Sequence, residues 1–179
     1  MKLTIKSVIT VSTLAITLLA PALLSAGRAS AEPLKGTKAD YIGAGVSAGV
    51  TNGGSATGGD AATFGGNIQG RLTTEKAPVS VRGAVLFSDE TSAIMPIVTY
   101  DVPVAKNTNV YVGGGYSFVE KQGKPTPLGN KNAPVVTVGA ESQLGQNLVI
   151  YGDTKWGVNA YKNSPADAVS FQAGAGFKF

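Results

Sequence analysis

Eight stretches of the chain alternate, residue by residue, between apolar side chains and polar or small ones. In "YIGAGVSAGV" Ile42, Ala44, Val46, Ala48 and Val50 share one face, with Tyr41, Gly43, Gly45, Ser47 and Gly49 on the other. The same period runs through residues 63–72, 79–87, 94–102, 109–118, 134–143, 147–156 and 169–179. Side chains alternate across a strand, so a period of two predicts eight strands, each with one oily face. The last stretch is the clearest: Val169, Phe171, Ala173, Ala175, Phe177 and Phe179 lie against Ser170, Gln172, Gly174, Gly176 and Lys178.

The connections sort by length. Polar segments at 51–62, 88–93, 120–133 and 158–168 follow the odd strands, and shorter ones at 73–78, 103–108 and 144–146 follow the even strands. Long loops at one end and tight turns at the other predict an all-β, antiparallel, up-and-down barrel with both termini at the turn end. Strands of about ten residues match the span of a tilted strand through a bilayer. A soluble up-and-down barrel would also alternate, with its large apolar residues inside. Here the polar face carries Arg71, Arg82, Asp101, Glu141, Asp153, Lys155 and Lys178, too many charges for an apolar cavity, so the oily face is expected to meet lipid.

Residues 1–31 stand apart. Lys2 and Lys6 precede an apolar stretch from Val8 to Leu24, and Ala29-Ser30-Ala31 forms an A-x-A exit. That layout predicts a secretory signal peptide cut between Ala31 and Glu32, the rival being an uncleaved anchor. The expected organisation is a signal at 1–31, a short polar periplasmic leader at 32–39 and a barrel domain at 40–179. Cleavage removes Lys2, Lys6 and Arg28, taking 15 basic residues to 12 against 11 acidic ones. The high isoelectric point therefore gives no reason to expect a nucleic-acid partner.

Composition narrows the chemistry. The chain has no Cys and no His, which removes disulfides, the commonest general base and the commonest neutral metal ligand. Carboxylates are scattered without metal-ligand spacing, and "GAGVSAG" is a strand rather than a phosphate-binding loop. No catalytic residue, cofactor or metal is expected. Asp153 and Lys155, at i and i+2, read as a structural pair.

An eight-stranded barrel has an interior just wide enough for side chains to fill. The inward charges Arg71, Arg82, Asp101, Glu141 and Lys178 fall near the turn end and are expected to form a mixed-sign plug, with Asp153 and Lys155 further in. Inward glycines on the first and last strands (Gly43, Gly45, Gly49, Gly174, Gly176) leave room, either for large residues such as Tyr111 and Tyr151 or for a narrow wet path. The third loop carries Lys121, Lys124 and Lys131 against Glu120, a charge run that is either simply solvated or able to meet anionic lipopolysaccharide.

Signal, dyad strands, aromatic residues near strand ends and a final Phe179 together resemble the small eight-stranded outer-membrane barrels. These include the opacity proteins, outer-membrane protein X and the transmembrane part of outer-membrane protein A. The resemblance implies a Gram-negative-type outer membrane and a monomer among outer-membrane lipid and lipopolysaccharide. It also implies that Phe171, Phe177 and Phe179 act as a C-terminal signal for the barrel-assembly machinery. The expected role is structural or surface interaction through the loops, with a narrow porin-like channel as the alternative.

Overall fold

A computed structural model describes residues 34–53, 63–74 and 76–179. The expected signal segment, with Ala29, Ala31 and Glu32 at its cleavage point, lies outside the described residues. Eight strands follow in order: β1 (Tyr41–Gly49), β2 (Phe64–Thr73), β3 (Val79–Phe87), β4 (Ser92–Ala105), β5 (Thr108–Val119), β6 (Ala133–Leu144), β7 (Leu148–Gly157) and β8 (Ala168–Lys178). Each pairs antiparallel with its chain neighbours, and β8 returns to β1 to close the barrel. Closure leaves no strand edge unpaired.

The dyad pattern sets which face is which. Along β4, Ala93, Met95, Ile97, Thr99 and Asp101 are buried inside, while Ile94, Pro96, Val98, Tyr100 and Val102 are exposed outside. The exterior is consequently apolar. Phe64, Phe87, Phe118 and Trp156 stand near the loop end, and Leu72, Tyr100, Leu148 and Phe177 near the turn end. Phe171, Phe177 and Phe179 all point outward on or just beyond β8, with Phe179 70% exposed.

Two connections differ from expectation. β4 continues through Ala105 and β5 begins at Thr108, so most of "PVAKNT" is strand and the turn is Lys106-Asn107. A register shift between Pro103 and Ala105 lets β4 bend at this end, as expected where one residue interrupts a ladder. The connection between β3 and β4 is only residues 88–91, shorter than the 74–78 turn between β2 and β3. Extra strand pairing at the mouth, Phe87 with Ser92, shortened the predicted loop.

The interior has two halves. Toward the loop end, Ala84, Leu86, Met95, Ile97, Ala133, Val135 and Ala168 form an apolar cluster. Toward the turn end the buried residues are mostly charged, polar and aromatic, with Ala39 and Val149 packed beside Tyr41 and Tyr151. The apolar half reflects inward positions on β3 and β4 where alternation sets Ala84, Leu86, Met95 and Ile97 against exposed Val and Ile.

Candidate functional site in the barrel interior

Arg71 on β2 and Arg82 on β3 stand directly opposite in register. Two like charges so placed repel unless counter-charges lie between them. Asp101 on β4 and Glu141 on β6 supply these. Arg71 is 2.8 Å from Asp101 and 3.1 Å from Glu141, and Arg82 is 3.2 Å from Asp101 and 2.9 Å from Glu141. Each guanidinium thus bridges both carboxylates, using the fork that arginine presents to carboxylate pairs.

Surrounding groups fill the remaining valences. Ser80 Oγ donates to Asp101, as does Thr99 Oγ1 at 3.1 Å. Tyr41 Oη donates to Glu141 at 3.2 Å, and Asn109 Nδ2 to its other oxygen at 3.3 Å. The Arg82 guanidinium also lies 3.7 Å from the centroid of the Tyr111 ring, a cation–π contact.

A second ion pair sits further along the lumen. Lys155 Nζ is 2.6 Å from Asp153 Oδ1, and Tyr111 Oη donates to Asp153 Oδ2 at 3.0 Å. Lys155 also reaches Gln172 at 3.4 Å. Gln69 accepts from Lys155 Nζ at 3.5 Å through its Oε1 and donates from its Nε2 to Tyr41 Oη at 3.2 Å, which joins the two groups into one network. Six of the seven inward charges read from the sequence therefore meet in the lumen. Lys178 does not: it is half-buried at the turn end and belongs to neither ion-pair group. It is the last residue of β8, at the strand's turn-end terminus.

The inward glycines make room for tyrosines. A Cβ at Gly43 would meet the Tyr151 ring at 2.8 Å, one at Gly176 the Tyr41 ring at 2.7 Å, and one at Gly174 the Tyr151 hydroxyl. Tyr41 and Tyr151 stack with centroids 5.8 Å apart, and Tyr151 Oη donates to Asn67 at 2.6 Å. Thus the space left at these glycines of β1 and β8 is occupied by the rings of Tyr41 on β1 and Tyr151 on β7, the two strands that flank β8.

Segments outside the strands close both ends. At the turn end, Thr37 and Ala39 are buried. The Thr37 backbone N–H donates to Asn109 Oδ1 at 3.2 Å, and the Gly36 N–H donates to the Ala105 carbonyl at 3.2 Å. The Ala39 carbonyl accepts from Arg71 Nη1 at 3.0 Å. The leader is therefore a stopper lying across the mouth from β1 toward β4 and β5. At the loop end the third loop turns inward. Leu128 is fully buried in the apolar cluster, and the Thr126 and Gly129 backbones bond to each other at its base. Ser88 Oγ donates to the Pro125 carbonyl at 2.7 Å, and Asn130 and Lys131 both donate from their backbones to Ala160 in the fourth loop. Lys124 pairs with Glu90 at 2.8 Å on the surface, which raises the lysine's pKa.

The sequence reading did not anticipate either closure. Apolar-polar alternation carries no signal for a single residue folding inward from a loop. Tyr41, Asn67, Gln69, Thr99 and Asn109 were legible as inward positions, but their bonds depend on registers between strands. Among the described residues no group of three or more His, Cys, Asp or Glu is placed to hold a metal ion.

A closed, antiparallel, eight-stranded barrel with an apolar exterior and a filled lumen is the fold of small outer-membrane barrel proteins. No known sequence family and no curated protein matches the chain. Solved structures do match it. Ail, the attachment invasion locus protein of Yersinia pestis, aligns over 80% of this chain and 99% of its own, with 15% identity and a TM-score of 0.51. Neisserial surface protein A aligns over 78% and 97%, with 18% identity and a TM-score of 0.56. The N-terminal β-barrel domain of Pseudomonas aeruginosa OprF aligns over 81% and 100%, with 12% identity and a TM-score of 0.52. The likeness at these identities is one of fold.

Proposed function

We propose that the protein is a monomeric, non-enzymatic, integral barrel of the bacterial outer membrane, closed to solutes, acting structurally or through its loop-end surface. The observation that carries this reading is the inversion of polarity: paired charges fill the turn-side lumen, while Val, Ile, Leu and aromatic residues cover the outside. In water that exterior would be a very large exposed apolar surface. From Phe64 to Leu72, eight residue-to-residue steps of roughly 3.3 Å each and a tilt of 35–45° give an apolar belt about 20 Å high. A bacterial barrel's band is about 25 Å. Membrane fractionation tests the reading: the protein should stay with outer membranes through a salt wash, and recovery in the soluble fraction would refute it.

Neisserial surface protein A is a surface protein by its name, and the shared fold supports the same placement here. In this reading the N-terminal segment is a cleaved export signal. Phe171, Phe177 and Phe179 are read by the barrel-assembly machinery, so Phe179→Ala should lower the amount of assembled barrel in cells. Lys121 and Lys162 are exposed and Lys131 is half-buried beside the bound Asn130. With Lys124 already paired to Glu90, these three are the cations of the third and fourth loops left to meet lipopolysaccharide phosphates. The porin-like alternative needs a continuous wet path, and the filled lumen and its two stoppers stand against it.

A further inference from the structure

On the outer wall near the turn end, Ala140 of β6 and Gly152 of β7 stand side by side in register. They leave a shallow hollow of about 310 Å³, bounded by Ile150, Thr108 and Ser142. Thr108 and Ser142 put two hydroxyls 2.9 Å apart on a face built mostly of hydrocarbon. Their mutual hydrogen bond uses one of two hydroxyl protons, which leaves a donor free. Two residues before Thr108, Lys106 is exposed in the tight turn between β4 and β5. Read from the turn inward, the wall offers a cation, a hydroxyl pair and an apolar hollow. A phospholipid presents the matching order of phosphate, ester oxygens and acyl chain.

We propose that this hollow is a binding site for one anionic phospholipid of the leaflet at the turn end. Its phosphate sits at Lys106, its ester oxygens accept from the Thr108–Ser142 pair, and its chain lies over Ala140 and Gly152. The lysine stem can run along the wall while its ammonium stays at headgroup level. This site rests on the bilayer reading given above.

The test uses native mass spectrometry of the refolded protein after incorporation into vesicles of equal phosphatidylglycerol and phosphatidylethanolamine. Gly152→Leu fills the hollow without disturbing the wall, because a Cβ there meets only the Gln172 carbonyl, at 3.5 Å. Gly83→Leu is the control, since a Cβ at that outward glycine on β3 meets nothing within 4 Å. Wild type and Gly83→Leu should each retain one phosphatidylglycerol per barrel, Gly152→Leu should lose most of it, and Lys106→Glu should lose the preference for phosphatidylglycerol. Equal retention by all four proteins overturns the site. So does a wild-type dimer that Gly152→Leu dissolves, which would assign the hollow to a second copy. Failure to enter vesicles at all would refute the bilayer reading, whereas full insertion without retained phosphatidylglycerol refutes only the site.

Discussion

Arg82 on β3 and Glu141 on β6 meet with Nη1 2.9 Å from Oε2, although β4 and β5 separate their strands in the wall. The contact therefore spans the lumen. It holds opposite sides of the barrel to one another, and Glu141 serves Arg71, Tyr41 and Asn109 as well.

Removing one member of such a group strands the rest. Glu141→Ala should destabilise the detergent-folded barrel by about 3–5 kcal/mol, because two guanidiniums lose a buried counter-charge. Arg82→Met combined with Glu141→Leu should cost less than the sum of the two single changes, since each single change leaves an unpaired charge that the pair removes. Thermal melts of wild type, Glu141→Ala, Arg82→Met, Glu141→Leu and the double variant check both statements. An unchanged melting midpoint for Glu141→Ala would contradict the network.

Tyr151 and Gly174 are fitted to each other in the same sense. Gly174→Val would drive a side chain into the Tyr151 hydroxyl and to 2.6 Å from the Ala44 carbonyl, so folded yield should fall sharply. Tyr151→Phe keeps the ring but leaves Asn67 Oδ1 buried without its 2.6 Å donor, at a cost of about 1–3 kcal/mol. Comparing the heat-modifiable gel band of both variants separates loss of assembly from loss of stability.

Leu128 holds the third loop in the mouth. Leu128→Ala should weaken its anchoring by about 2–5 kcal/mol and speed proteolytic cleavage within residues 120–132. Lys124→Ala should leave the cleavage rate unchanged, because its partner Glu90 is a solvent-exposed surface carboxylate.

Tyr161 supplies a pH dependence at the same end. Its hydroxyl donates to the Thr51 carbonyl at 2.6 Å, and burial raises its pKa above the ordinary tyrosine value of about 10. A folded-state pKa above the unfolded one means the stabilisation is fully present below pH about 10 and is lost as pH rises through the folded value. The difference between tyrosine titrations of wild type and Tyr161→Phe should show a transition above that of free tyrosine. A transition at or below it would contradict the burial.

The wall of the barrel was legible because alternation is a local signal: Phe171, Phe177 and their partners face outward wherever the dyad puts them. Strand ends were less so, as at Ala105 and Thr108, where pairing extends through residues without strong alternation. Inside, charge type and face were readable for Arg71, Arg82, Asp101, Glu141, Asp153 and Lys155, and the register between strands decided which of them meet. Lys178 shares their face but ends its strand, so face alone placed it with groups it does not reach. Thr37 and Leu128 lie outside any periodic segment. Their burial is a tertiary event, set by what the barrel's two mouths leave uncovered.

Closure of the lumen is the central claim, and ion conductance of the detergent-refolded protein in a planar bilayer tests it most directly, using material whose unheated gel band migrates as a compact barrel. The fill by the fully buried side chains of Arg82, Tyr111, Lys155 and Leu128 predicts an inserted barrel that passes no discrete current steps. Reproducible unitary steps from such material would contradict it and show that water finds a path past these side chains.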